Sequence, residues 1–193
     1  MIVTPLTAPE RGFQVFPRRT PPNAVHHRIR AHAHAGDPDA TPHNLLVIGA
    51  HGGAGTSTLA ALLDPAHDLG TVDRLSDADR SRLQTQGPVA IVARNTVAAA
   101  WHATRAVTAV AATCQETGGH IAALVIVSDG AGSEPREATA RFGLLQGRVR
   151  GLVRMSFVPM LRLVDDPTTV MLPAKARDAL ETVLELAFSR PCH

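Results

Sequence analysis

The sequence has one lysine, two cysteines and no tyrosine among its 193 residues, and only 3% of it is aromatic. Cys114 and Cys192 are too few to build a disulfide framework or a cysteine-based metal site. No apolar run approaches the roughly 18 residues of a membrane-spanning helix, since the longest, 121–127, has the length of a strand. The first residues lack the charged and then apolar segments of a signal peptide. We therefore expect a soluble, cytoplasmic protein with no transmembrane segment.

Basic residues are almost all arginine, because Lys175 is the single lysine beside 18 arginines. The formal net charge of +2 comes from residues 1–43, which hold five arginines and three acidic residues. Residues 44–193 hold fourteen charges of each sign. A general nucleic-acid-binding domain carries a larger basic surplus, so the charge disfavours that class of protein.

The first 43 residues differ in composition from the rest of the chain. They contain seven of the 14 prolines and show neither helical nor strand periodicity. We predict a disordered or loosely docked N-terminal arm over 1–43 and one α/β domain over 44–193. His32 and His34 in the arm could chelate a metal, but without neighbouring cysteines or carboxylates a solvated tail is the favoured interpretation.

Short apolar runs alternate with helical patterns from Leu45 onward. Because the runs are apolar throughout, they are typical of strands buried on both faces of a parallel sheet. We expect a three-layer α/β fold with a mainly parallel sheet of about five strands, similar to a P-loop NTPase. Strands are predicted at 45–48, 70–73, 89–93, 121–127 and 151–158, and helices at 56–63, from 76, at 96–116 and at 174–189. The helix from 76 opens with Ser76 and Asp79 at the spacing of a capping box.

The most informative segment is a glycine-rich turn that joins the first strand to the first helix. Glycines permit positive φ and can turn several backbone N–H groups toward one point, where the helix N-terminus adds partial positive charge. An anion such as a phosphate is favoured in such a turn. The candidate ligand-binding residues are His51, Gly52, Gly53, Ala54, Gly55, Thr56 and Ser57.

This turn departs from the phosphate-binding pattern G-x-x-x-x-G-K-[ST]. Ala50 replaces the first glycine and Thr56 replaces the lysine, while Gly55 and Ser57 keep their positions. A charge-assisted hydrogen bond contributes roughly 1.5–3 kcal/mol, so we expect nucleotide binding to be weakened about ten- to a hundred-fold. Catalysis should lose more, because the lysine also neutralises charge that develops during phosphoryl transfer.

The segment His51–Ser57 resembles the deviant Walker A motif of the ParA/MinD family, K-G-G-x-G-K-[ST]. In that family one lysine binds the phosphates and the other reaches across a nucleotide-sandwich dimer; Thr56 and His51 stand at those positions here. The similarity extends over about residues 44–165. It is greatest to an uncharacterised actinobacterial group of degenerate ParA-like proteins, whose genes often lie near conjugative-element or plasmid genes. The resemblance implies ATP or ADP with Mg²⁺, a homodimer, and a partner in a conjugation or partition apparatus.

The leading hypothesis is a degenerate member of this family that acts as a nucleotide-responsive or scaffolding partner with weak or no ATPase activity. One alternative is an active ATPase that takes its cation from Arg94, Arg136 or a partner. Another is a DNA- or protein-binding module that uses no nucleotide and no cofactor. Whether the chain is an enzyme stays open, although the loss of both lysines favours a non-enzymatic role.

Two further interpretations of the glycine turn are possible. Gly53, Gly55 and Thr58 approximate a dinucleotide fingerprint, and Asp73 lies about twenty residues on, where a ribose-binding acid is expected. The glycines could also form a tight strand-to-helix turn that binds nothing.

Asp129 follows the apolar run 121–127 and begins a D-x-x-G sequence. As a catalytic carboxylate it would hold Mg²⁺ together with Ser57. As a structural feature, Asp-Gly after a strand is an ordinary turn, which is the slightly favoured interpretation. Asp73 is the other candidate metal-binding carboxylate.

Six arginines and one acidic residue, Glu137, lie between residues 136 and 162. The family resemblance implies that arginines here, Arg148 and Arg150 in particular, bind DNA without sequence preference. Solvated loop and helix ends are the favoured alternative.

Overall fold

The computed structural model describes residues 29–30, 45–85, 87–115 and 119–189. The predicted arm over 1–43 lies outside these residues except for 29–30. The boundary at residue 44 and the metal-binding alternative for His32 and His34 therefore stay predictions.

The described chain forms an α/β fold around a five-stranded sheet in which every pairing is parallel. The strands are β1 (Ile29–Arg30), β2 (Leu45–Gly49), β3 (Leu63–Asp64), β4 (Ala66–Thr71), β5 (Val89–Arg94), β6 (Ile121–Val127) and β7 (Gly151–Met155). The sheet order is β4–β2–β5–β6–β7. A separate short pairing joins β1 to β3. The sheet confirms the predicted fold class and strand number.

In the part of the chain that the structure describes, five α-helices cover the sheet, and four of them were predicted. The unpredicted helix, α4, is short and buries only Ala138 and Phe142, so its apolar periodicity is too sparse to recognise. The helices are α1 (Thr56–Leu62), α2 (Asp77–Thr85), α3 (Val97–Gln115), α4 (Arg136–Gly143) and α5 (Ala174–Phe188).

Side-chain hydrogen bonds fix where α2 and α3 begin. The Ser76 hydroxyl donates to the Asp79 carboxylate at 2.6 Å, and the Asp79 amide donates back to that hydroxyl at 3.2 Å. The Ser76 amide also donates to Asp79 Oδ2 at 3.2 Å, which completes a capping box, and the hydrogen bonds from Ser76 lower the pKa of Asp79. At α3, Thr96 Oγ1 accepts from the Ala99 amide at 3.1 Å.

The sheet separates two hydrophobic layers because alternate strand residues point to opposite faces. Leu45 and Val47 pack in the layer that contains α1 and α5. Leu46 and Ile48 pack in the layer that contains α2, α3 and α4. All four strand side chains are fully buried. This explains why the sequence of β2 is apolar without alternation.

The strand order creates a crevice at the carboxyl edge of the sheet, the edge where the strands end. α1, which follows β2, packs on one face of the sheet, and α3, which follows β5, packs on the other. The chain therefore diverges between these two neighbouring strands. Open α/β sheets bind ligands at such a point. The glycine turn lies there.

The strand predicted at 70–73 begins and ends earlier in the structure. It spans Ala66–Thr71 rather than 70–73, and Asp73 falls in the 3₁₀ turn Val72–Arg74 that follows it. Half of β4 is polar because it is an edge strand of the sheet. Among the described residues, no helix combines the length and apolarity needed to cross a membrane.

Candidate anion-binding site

The glycine turn, residues 50–55, leaves the end of β2 and enters α1 through two left-handed residues. Gly53 has φ of 75° and Gly55 has φ of 99°, which explains why both positions favour glycine. Gly52 and Gly53 are exposed, whereas Ala54 is buried in the layer with α1 and α5. The turn therefore presents its backbone to solvent on one side and is anchored to the core on the other.

Gly49 and Thr56 are in close contact at the base of the turn. A Cβ atom on Gly49 would overlap Thr56 Oγ1 and would lie 3.3 Å from the carbonyl oxygens of Gly70 and His51. Thr56 is only 8% exposed. Its side chain thus packs against the strand end, so it does not replace the phosphate-binding lysine of a Walker A turn.

His51 attaches the turn to β5. Its Nε2 accepts a hydrogen bond from the Arg94 amide at 3.2 Å, and its Nδ1 lies 2.9 Å from the carbonyl oxygen of Gly52. Because Nε2 accepts, Nδ1 carries the proton and donates to Gly52, which makes the ring neutral. His51 therefore positions the turn and adds no charge to it.

Arg94 brings a positive charge to the turn from the end of β5. Its Nε donates to the carbonyl oxygen of Gly53 at 3.1 Å, and its side chain is 21% exposed. Arg94 is one of the cation sources considered above for an active ATPase. Its position beside residues 51–53 agrees with that hypothesis.

Asp129 lies between two arginines at the same edge of the sheet. Its Oδ1 is 3.0 Å from Arg162 Nη2 and 3.8 Å from Arg94 Nη1. Its amide donates to Oδ1 of Asn95 at 2.8 Å, and Asn95 is buried. These contacts fix the backbone after β6 and place two guanidinium groups against one exposed carboxylate.

The surroundings of Asp129 favour an anion over Mg²⁺. Arg94 and Arg162 supply one more positive charge than Asp129 neutralises, and their charges oppose a divalent cation. Ser57, the other candidate metal ligand, is exposed in the first turn of α1. Across residues 45–85, 87–115 and 119–189, no three His, Cys, Asp or Glu side chains are grouped as a metal site. The described residues thus fit a phosphate group better than its metal ion.

Asp73 lies just beyond β4, which neighbours β2, as the dinucleotide alternative requires. Its carboxylate, however, pairs with Arg105 of α3 at 3.9 Å, and both side chains are more than half exposed. Asp73 therefore forms an exposed ion pair that links the turn after β4 to α3.

The arginines between residues 136 and 162 do not share one surface. Arg154 and Arg162 pair with Glu134 and Asp129, while Arg141 stacks on Trp101 at 3.6 Å from the ring centroid. Arg148 and Arg150 border a cavity beside the first residue of β6, at the opposite edge from Asp129. Their separation weakens the interpretation of this segment as a continuous DNA-binding track.

Two residues of the site, Asn95 and Arg162, were missed in the sequence. Asn95 had a usable signal, because it is a polar residue directly after an apolar strand, at the edge where ligands bind. Arg162 lies in a 3₁₀ turn after β7, and no local pattern connects it with Asp129.

Comparison with known proteins gives no match: no family model, no curated protein and no solved structure is similar to the chain at a significant level. The resemblance of residues 51–57 to the ParA/MinD motif stays a prediction from the sequence. The candidate site therefore depends on its own geometry.

Proposed function

We propose that the chain binds a phosphate group of a nucleotide or a similar anion at the glycine turn, and that it acts as a responsive or scaffolding partner. The observation that carries the proposal is the contact between Arg94 Nε and the Gly53 carbonyl oxygen at 3.1 Å. It supplies a cation at a turn whose sequence has lost both lysines. ATP and ADP are the ligands that the ParA/MinD resemblance suggests.

Three features support anion binding at this place. Gly52 and Gly53 leave the turn open to solvent, and the neutral His51 ring anchors the turn to β5. Arg94 and Arg162 together exceed the charge of Asp129. Guanidinium groups bind phosphate oxygens through paired N–H donors, so this arrangement suits a phosphoryl group.

The same geometry favours binding over hydrolysis. Phosphoryl transfer requires a metal ion or lysine on the leaving oxygens and a group that orients the attacking water. Asp129, the candidate for the metal role, is paired with Arg94 and Arg162. We therefore place the chain among responsive or scaffolding proteins ahead of the alternative of an active ATPase that uses Arg94.

Thermal unfolding with added ligand tests this proposal. A ligand that binds only the folded chain raises its midpoint. We expect ATP, ADP and pyrophosphate at millimolar concentration to raise it in the presence of EDTA, and adenosine, which has no phosphate, to leave it unchanged. A midpoint that none of the phosphate ligands shifts, with or without Mg²⁺, would refute the proposal.

A second candidate is a protein-binding module, and the exposed Trp101 favours it. Its side chain is 56% exposed on α3, beside the guanidinium of Arg141. Trp and Arg are the residues most enriched in binding hot spots. Sedimentation of the wild-type chain and of Trp101→Ala tests the homodimer version. That version requires a dimer that the substitution dissociates, and a monomeric wild-type chain would exclude it.

A further inference from the structure

A cavity of about 270 Å³ lies at the amino edge of the sheet, the edge where the strands begin and opposite the glycine turn. Its walls come from the end of α3, from residues 119–121 where β6 begins, and from residues 147–150 before β7. The lining residues used below are Cys114, His120, Arg148 and Arg150.

Two arginines border this cavity with part of each guanidinium already fixed. Arg148 Nη1 donates to Thr108 Oγ1 at 3.0 Å. Arg150 Nη1 donates to the carbonyl oxygens of Leu186 and Ser189 at 3.3 and 3.2 Å. A guanidinium has five N–H donors, so each side chain is held in place and retains donors for a ligand.

His120 contributes a polar atom that lacks a partner. Its Nε2 is buried and, in the part of the chain that the structure describes, is the one such side-chain atom without a hydrogen bond. Burial, and then the charge of Arg150, lower the pKa of His120, whereas a hydrogen bond to the backbone of Ala187 opposes them. The ring is thus neutral at pH 7, and Nε2 is an unsatisfied acceptor, which is unfavourable.

The groups around His120 indicate which ligand could donate a hydrogen bond to Nε2. α3 contributes the buried Cys114 thiol, the turn before β7 contributes Arg148 and Arg150, and α5 contributes the Ala187 backbone. Two guanidinium groups at one opening favour an anion. The Nε2 acceptor requires a ligand that shares a proton with it. A hydrogen phosphate group meets both requirements, because its oxygens carry charge and one of them carries a proton near neutral pH.

We propose that this cavity is a second binding site, for a phosphate-class anion, in which Arg148 and Arg150 bind the phosphate oxygens and one proton lies between His120 Nε2 and the remaining hydroxyl. Inorganic phosphate keeps a hydroxyl at pH 7.5, whereas a phosphate monoester, whose second pKa is about 6, has lost this proton and would bind through the two arginines alone. The site is independent of the proposed function at the glycine turn.

Calorimetric titration with phosphate and with sulfate tests the shared proton. Sulfate carries no proton between pH 6 and 8, so at pH 7.5 it cannot donate to a neutral His120. We expect phosphate to bind about tenfold more tightly than sulfate, as one charge-assisted hydrogen bond implies. His120→Phe should reduce this ratio toward one, and Arg150→Gln should weaken both anions. Arg105→Gln, an exposed arginine of α3 that pairs with Asp73 outside both proposed sites, is the matched control and should change neither.

Nuclear magnetic resonance of the wild-type chain provides a readout that needs no variant. Phosphate should shift the ring resonances of His120 and raise its pKa, because the anion offsets the charge of Arg150. A glycerol phosphate titration at pH 7.5 adds a second comparison, since this monoester has no proton left to donate and should bind more weakly than inorganic phosphate. Equal affinities for phosphate and sulfate, or His120 resonances that phosphate leaves unchanged, would overturn the proposal.

Discussion

Arg94 Nε donates to the carbonyl oxygen of Gly53 at 3.1 Å, so that a guanidinium lies against a glycine turn that has no lysine. The Arg94 amide also donates to the ring of His51. One residue at the end of β5 therefore both anchors the turn and supplies its charge.

Replacing Arg94 with glutamine should weaken pyrophosphate or ADP binding about ten- to a hundred-fold, because a charge-assisted hydrogen bond contributes roughly 1.5–3 kcal/mol. The amide of residue 94 remains, so the contact with His51 is kept. Calorimetric titration measures the change. Arg105→Gln is the control, since its side chain is exposed on α3 and pairs with Asp73 at 3.9 Å, away from the glycine turn. Equal loss in both variants would show that Arg94 has no specific role.

Replacing Asp129 with asparagine should strengthen anion binding about three- to tenfold, because the carboxylate competes with the ligand for Arg94 and Arg162. The backbone bond from residue 129 to Asn95 does not involve the altered side chain. Glu134→Gln, in the same loop, is the control because Glu134 pairs with Arg154. If Asp129 held a required Mg²⁺, Asp129→Asn would weaken nucleotide binding in the presence of that ion.

Two glycines of this segment should respond differently to alanine. Gly49→Ala should lower the free energy of unfolding by about 1–3 kcal/mol, because its Cβ would overlap Thr56 Oγ1. Gly52→Ala should change it by less than about 0.5 kcal/mol, because no heavy atom lies within 4 Å of the added Cβ. Urea denaturation compares the two variants. Similar losses at both positions would show that the packing of Thr56 against the strand end is unimportant.

The sequence was informative where one segment alone determines the structure. The apolar strands, the capping box at Ser76 and the glycine turn were all recognisable locally. The strand order and the meeting of Arg162 with Asp129 depend on how distant segments pack, which no local pattern records. Thr56 shows the same limit, since its burial follows from the absence of a side chain at Gly49.

His120 should make stability depend on pH. Its pKa in the folded chain is below the value of 6.5 that applies when it is exposed. As the pH falls below about 6.5, the unfolded chain binds a proton that the folded chain does not, so stability decreases until the folded pKa is passed. Above about pH 6.5 the contribution of His120 to the free energy of unfolding is present in full.

Urea denaturation between pH 5 and 8 compares the wild-type chain with His120→Phe, without added anion. The variant should lose less stability on acidification, by at most about 1.4 kcal/mol per pH unit for one proton. His67→Phe on β4 is the control for a histidine in an exposed position. Parallel pH profiles for the wild-type chain and His120→Phe would contradict a lowered pKa.

The most direct test of the central claim is a titration of the ¹⁵N-labelled chain with pyrophosphate in EDTA, followed through the amide resonances of residues 50–57 and the Arg94 Nε–H resonance. Anion binding at the turn predicts that the amides of Gly52, Gly53 and Gly55 and the Arg94 side chain shift together along one saturable curve. Shifts confined to other parts of the chain, or none at millimolar pyrophosphate, would contradict the account.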